Sequence, residues 1–100
     1  MSSTTTKIRD WAIDRGLHAG DPTKQMVKLI EEIGELAAGI ARQDKEKITD
    51  SIGDAYVVLT ILAMQYQMDI EHCIQAAYEE IKNRKGKLIN GVFVKESDLK

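Results

Sequence analysis

Cysteine is nearly absent from this 100-residue chain, where Cys73 stands alone. A lone cysteine cannot form an internal disulfide, so a disulfide-stapled scaffold is excluded and a reducing compartment suits the chain. Proline occurs once, as Pro22, and the seven glycines are scattered, which leaves no low-complexity tract and no linker. Neither sign of charge dominates: 14 basic residues against 16 acidic give a net charge of −2. Such a balance produces no overall field that would collect nucleic acid or an anionic membrane, so any anionic ligand must be held by a local device. Long apolar runs are missing as well. The longest, AYVVLTILAM at residues 55–64, is about half the length needed to cross a bilayer. The polar start MSSTTTKIRD lacks the apolar segment of a signal peptide. These absences together predict a cytoplasmic protein with neither a membrane nor a nucleic-acid partner, and the length predicts one domain over residues 1–100.

What is present is helical periodicity. Ser2 to Thr6 offers caps for a first helix reaching about Arg15, with Ile8, Trp11 and Ala12 on one side, and Gly16 and Gly20 bracket the loop that follows. Asp21-Pro22 is a helix start, because Asp caps free N–H groups and Pro fits the first helical position. From there to about Gln43, the residues Met26, Leu29, Ile30, Ile33, Leu36, Ala37 and Ile40 keep the helical period. After a polar break at 44–47, Ile48, Ile52, Ala55, Leu59, Leu62 and Tyr66 mark one face of a third helix ending near Gln67. Val57, Val58, Ile61 and Met64 make its second half apolar nearly all round. Asp69 caps a fourth helix to about Arg84, with Ile74, Ala77, Tyr78 and Ile81 expected inward. Gly86 and Asn90-Gly91 then introduce a short extended tail, VFVK. The fold predicted is all-α, a bundle-like arrangement of four helices.

Two acidic clusters interrupt this pattern. Glu31, Glu32 and Glu35 lie within roughly 100° of the second helix and flank its apolar stripe, although like charges at this spacing repel. On the third helix Asp50 and Asp54 are one turn apart, and Asp54 points the same way as Val57, Val58 and Ile61. A carboxylate directed toward apolar surroundings is costly unless paired or metal-bound. A short connection makes the two helices antiparallel and lets the clusters face one another. Four or five convergent carboxylates form a hard all-oxygen site that suits Mg²⁺, or Mn²⁺, better than zinc or copper. The simpler reading is a solvated face in which Lys28 pairs with Glu31 or Glu32. Gly34 and Gly53, each just before an acidic residue, predict close helix approach at the acidic level.

Glu31-Glu32-Ile33-Gly34-Glu35 followed by Ser51-Ile52-Gly53-Asp54 resembles the paired motif of the all-α nucleoside triphosphate pyrophosphohydrolases, the MazG-like group. The first half matches EExxE fully. In the second half Ser51 stands where the family has the glutamate of E-x-x-D, with Asp50 immediately before it. The likeness extends from the Trp11 helix through GDPTKQ to NRKGKLINGVFVK and looks like short, single-domain phage and bacterial members. It implies that Glu32, Glu35 and Asp54 hold Mg²⁺ and that water attacks the α-phosphorus of a nucleoside triphosphate, giving monophosphate and pyrophosphate. Glu31 or Asp50 would orient that water, and Asp50, Ser51 through water, or water alone would replace the absent glutamate. It also favours a dimer or a tetramer of dimers, as does a third helix too apolar for its own chain to cover.

A triphosphate needs cations. Lys82, Arg84 and Lys87, with Asn83 and Lys85 between them, follow the fourth helix, and Lys24, Gln25 and Lys28 open the second. The plainer role of the first group is to complement a helix C-terminus. Trp11 is read either as core or as a platform for a base, and His18 sits in the glycine-flanked loop. Two rivals accompany this reading. One is a non-catalytic helical interaction module, which the loss of a carboxylate at Ser51 favours; the other is the same fold acting on a nucleotide alarmone or a modified triphosphate.

Overall fold

The computed structural model describes residues 3–99. These residues form four α-helices, α1 (Thr4–Asp14), α2 (Pro22–Ala41), α3 (Lys45–Gln65) and α4 (Ile70–Ile81), followed by strands β1 (Gly86–Ile89) and β2 (Val92–Lys95). This is the all-α class expected. The residues divide into two compact units, Met1–Ile70 and Glu71–Lys100.

In the first unit, Ser3 caps α1 by accepting a hydrogen bond from the Thr6 N–H at 3.1 Å. Ser2, also considered as a cap, lies outside the described residues. α2 begins where Asp21-Pro22 predicts, with Asp21 Oδ1 accepting from the Thr23 N–H at 2.9 Å. It stops two residues short of the predicted end because Gln43 adopts a left-handed φ of 54°. The Gln43 N–H donates to the Ile40 carbonyl at 3.1 Å and the Asp44 N–H to the Gly39 carbonyl at 2.9 Å. Those are the paired bonds of a Schellman motif. Asp44 also starts the next helix, its Oδ1 accepting from the Lys47 N–H at 3.1 Å. One residue thus closes α2 and opens α3, and the turn between them is only residues 42–44. The end of α3 repeats the device with Gln67 at φ 58°; the Gln67 N–H bonds to Met64 O and the Met68 N–H to Ala63 O.

The core of this unit is small: Ala12 of α1 packs with Ile61 and Met64 of α3, and Leu17 and Val57 lie alongside. Thr5 Oγ1 and Tyr56 Oη are 2.8 Å apart, and Gln65 Nε2 donates to the Leu17 carbonyl at 3.0 Å, which pins α1 and the 16–20 loop to α3. α1 therefore serves only the second half of α3, which carries five of its six buried residues, Val58, Thr60, Ile61, Ala63 and Met64. Ile52, Leu59 and Tyr66, which mark one face of α3, are exposed, as are Met26, Ile30, Ile33 and Ile40 of α2. Trp11, on the same side of α1 as Ala12 and read as either core or base platform, is 46% exposed.

In the second unit the predicted extended tail is the second strand of a hairpin, with Leu88 opposite Phe93 and Ile89 opposite Val92. Asn90 and Gly91 take φ of 52° and 80°, the left-handed pair that a two-residue hairpin turn requires. Ile74, Tyr78 and Ile81 of α4, expected inward, are exposed. No helix among the described residues is long and apolar enough to cross a membrane.

Candidate functional site

Along α2, the residues Gln25, Leu29, Glu32, Leu36 and Gly39 form the strip turned toward α3 and are half-buried or buried. Three cross-helix contacts set the antiparallel register. Gln25 Nε2 donates to the Val58 carbonyl at 3.5 Å, Glu35 is ion-paired with Lys47, and Gly39 lies against Lys47 and Ile48. In this register Glu32 stands level with the turn of α3 that holds Ser51 and Asp54.

Counting 100° per residue from these contacts, Glu31 and Glu35 fall on one flank of the strip, and Asp50 and Asp54 fall on the flank of α3 that Lys47 shares. Met26, Ile30, Ile33 and Ile40 fall on the other. The α2–α3 hairpin therefore has an acidic flank and an apolar flank; Glu31, Glu35, Asp50 and Asp54 share the former, and Glu32 lies on the strip beside it.

Two expectations about this region need correction. Asp54 is exposed rather than directed into apolar surroundings, because it lies on the half of α3 that α1 does not reach; the buried residue on that turn is Ser51, at 3% exposure. Nor do Gly34 and Gly53 mark close helix approach, since nothing lies within 4 Å of a Cβ added to either. The close approach is at Gly39, where an added Cβ would stand 2.9 Å from Lys47 Cγ and 3.4 Å from Ile48 Cγ1.

Electrostatically the flank is not bare. Lys47 Nζ donates to Glu35 Oε2, and this hydrogen bond and charge hold the Glu35 carboxyl below its usual range, with Arg42 adding a smaller pull. The same carboxylate raises the Lys47 ammonium. Among the described residues, the lysine that pairs on α2 is thus Lys47 from across the turn, not Lys28 with Glu31 or Glu32.

The donor set suits a hard divalent cation in its chemistry, being anionic oxygen throughout. Its present arrangement does not form a cage: among the described residues no three His, Cys, Asp or Glu side chains are close enough together to hold an ion.

The second unit carries Lys82, Asn83, Arg84 and Lys87, all exposed. Lys82 pairs with Glu79, and Arg84 lies 3.8 Å from Glu80, so both are engaged along α4 as helix-end cations commonly are. Asn83, Arg84 and Lys85 line a groove of about 430 Å³ with Lys95 and Ser97, two residues the sequence reading passed over. In the first unit, Trp11 borders an apolar groove with Thr4, Lys7, Ile8 and Val57. The Arg15 guanidinium lies 4.3 Å from the centroid of its ring, so one face is already covered by a cation. His18 is exposed in the 16–20 loop.

Lys47 and Gly39 are the site residues that sequence reasoning missed. The sequence sets Lys47 within a polar break, yet Asp44 three residues earlier is a cap signal that puts it in the first turn of α3, facing the end of α2.

The chain matches the family described as MazG nucleotide pyrophosphohydrolase domain over residues 21–89, a span containing both acidic clusters and all of α2, α3 and α4. It is also similar to an uncharacterized 18.2 kDa protein in the rep-hol intergenic region of Haemophilus phage HP1 (strain HP1c1), with 49% identity over 63 residues. That stretch is 62% of this chain and 39% of the phage protein, so the chain spans well under half of that relative. No solved structure matches.

Proposed function

Because the chain belongs to the MazG nucleotide pyrophosphohydrolase domain family, we propose that it hydrolyses a nucleoside triphosphate to the monophosphate and pyrophosphate. The observation that carries this reading is the acidic flank: both motif halves within the family match fall on one side of the α2–α3 hairpin. Water attacks the α-phosphorus, the bond from that phosphorus to the bridging oxygen breaks, and pyrophosphate leaves.

Glu32, Glu35 and Asp54 are the residues that would hold Mg²⁺ or Mn²⁺. Such an ion, when bound, neutralises phosphate charge and makes water more acidic. Glu31 or Asp50 orients the attacking water by accepting its hydrogen bond. Ser51 is too short and too buried to replace a glutamate ligand directly, which leaves Asp50, Ser51 through a water, or water alone for that part. The proposed triphosphate contacts are Lys28 on α2 and, on chemistry alone, Lys82, Asn83, Arg84 and Lys87; Trp11 offers one ring face to a base.

The apolar flank supports assembly with a second copy as a dimer, or a tetramer of dimers. Ile30 is 60% exposed, and Ile33, Ile40 and Ile52 are likewise uncovered. Contiguous apolar surface of this kind marks an interaction site.

A non-catalytic interaction module is favoured by two specific facts, the serine at position 51 and the lysine already holding Glu35. The readings separate in one assay of triphosphate turnover with and without Mg²⁺: the enzyme requires metal, and the module shows no turnover in either condition. Extending the assay to a nucleotide alarmone and to modified triphosphates identifies the substrate class.

A further inference from the structure

We infer that Lys47 is the resident counter-cation of the acidic flank and that a divalent ion gains Glu35 only by displacing it, so that Lys47 sets the affinity of the flank for metal. The inference rests on the metal reading above and adds its regulation.

Three independent features put the ammonium there. The Asp44 N–H bonds to the Gly39 carbonyl while Asp44 Oδ1 holds the Lys47 N–H, so the backbone of Lys47 is fixed beside the last turns of α2. Gly39 then supplies a notch. A Cβ there would stand 2.9 Å from Lys47 Cγ and 3.3 Å from Lys47 Cβ, so the lysine stem runs over bare backbone. Glu35 is one turn back along α2 from Gly39, which is where the stem delivers Nζ, onto Oε2. Lys24 and Lys28, although on α2 itself, form no ion pair with these glutamates among the described residues.

A carboxylate whose oxygen is held by an ammonium cannot also present that oxygen fully to a doubly charged ion, and two cations at one carboxylate repel. Lys47 must therefore swing away as the ion binds. The side chains of Lys47 and Glu35 are 38% and 53% exposed, so the competition is screened by solvent and its effect is moderate.

The test is Mn²⁺ binding to purified protein without nucleotide, followed by electron paramagnetic resonance and titration calorimetry at low and high salt. Lys47→Met should bind Mn²⁺ roughly 1.5- to fivefold more tightly than wild type at low salt, the range an exposed pair's strength allows. The gain should shrink at high salt. Gly39→Ala retains every charge yet displaces the lysine stem, and should shift affinity in the same direction. Circular dichroism confirms folding, and Lys47→Gln replaces Lys47→Met should that variant fail to fold. Arg42→Met, which removes a nearby cation that makes no ion pair with Glu35, should change affinity less than Lys47→Met. Wild type and Lys47→Met binding Mn²⁺ equally would overturn the inference while leaving the metal reading intact. An Arg42→Met gain as large as that of Lys47→Met would overturn it too, reducing the effect to general charge. No Mn²⁺ binding by any of these proteins would overturn the metal reading itself, and the inference with it.

Discussion

Alanine at Gly34 and alanine at Gly39 should have opposite effects, although the two positions lie five residues apart on one helix. Glycine inside a helix costs about 1 kcal/mol relative to alanine. At Gly34 nothing lies within 4 Å of an added Cβ, so Gly34→Ala should recover most of that, about 0.5–1 kcal/mol. For a domain of this size that corresponds to a rise in Tm of roughly 2–8 °C. At Gly39 the added Cβ meets Lys47 Cγ at 2.9 Å, Lys47 Cβ at 3.3 Å and Ile48 Cγ1 at 3.4 Å. Overpacking of this kind costs about 1–3 kcal/mol, which exceeds the helical gain, so Gly39→Ala should lose up to about 2 kcal/mol net. Urea and thermal unfolding of both variants with EDTA, at dilute protein, measures the contrast. Gly39→Ala as stabilising as Gly34→Ala would refute the close approach at the α2–α3 turn. A destabilising Gly34→Ala would show that its side of α2 is covered, contrary to the open surface described here.

Glu35→Gln keeps the shape of the side chain and removes its charge, so Mg²⁺-dependent turnover should fall roughly a hundredfold or more; added Mg²⁺ should raise the Tm of wild type more than that of the variant. Unchanged turnover with an equal Mg²⁺ response would return EEIGE to a solvated face. Asp50→Asn separates two alternatives: a large loss of activity assigns Asp50 the part of the absent glutamate, and a small one assigns it to water. In EDTA, the extra stability that the Glu35–Lys47 pair gives wild type over Lys47→Met should be present at neutral pH. It should vanish as pH falls through the lowered Glu35 range and, because the Lys47 ammonium is raised, should also be lost at strongly alkaline pH. A difference in Tm that does not vary with pH would mean that the stem, not the charge, is what Lys47 contributes. Ile33→Glu on the apolar flank should convert an oligomer to monomer in light scattering at micromolar protein, and a wild type that is already monomeric would refute the assembly proposal.

Much of the fold was legible because the signals were local. Asp21-Pro22 starts α2 where expected, and the periodicity of α2 and α3 located both helices. Their ends were overestimated by two residues each because Gln43 and Gln67 take the left-handed position that glycine usually announces. Asn90-Gly91 was a hairpin signal that an extended tail did not exhaust. Which apolar residues are buried was less legible, since α3 has apolar residues on nearly every side and only the placement of α1 decides that Ile61 and Met64 are covered while Ile52 is not. The acidic flank was legible as spacing, through Glu31, Glu32, Glu35, Asp50 and Asp54. The lysine across from it was not, because its pairing depends on a three-residue turn and a notch at Gly39 that no periodicity reveals.

The central claim is the reaction, and its products test it most directly. Purified protein incubated with a panel of canonical nucleoside triphosphates and Mg²⁺, followed by phosphorus NMR and chromatography, should yield a nucleoside monophosphate and pyrophosphate in equal amounts, with none formed in EDTA. A nucleoside diphosphate with orthophosphate would place cleavage at the wrong bond, and no turnover across canonical triphosphates, modified triphosphates and alarmones would contradict the enzymatic account.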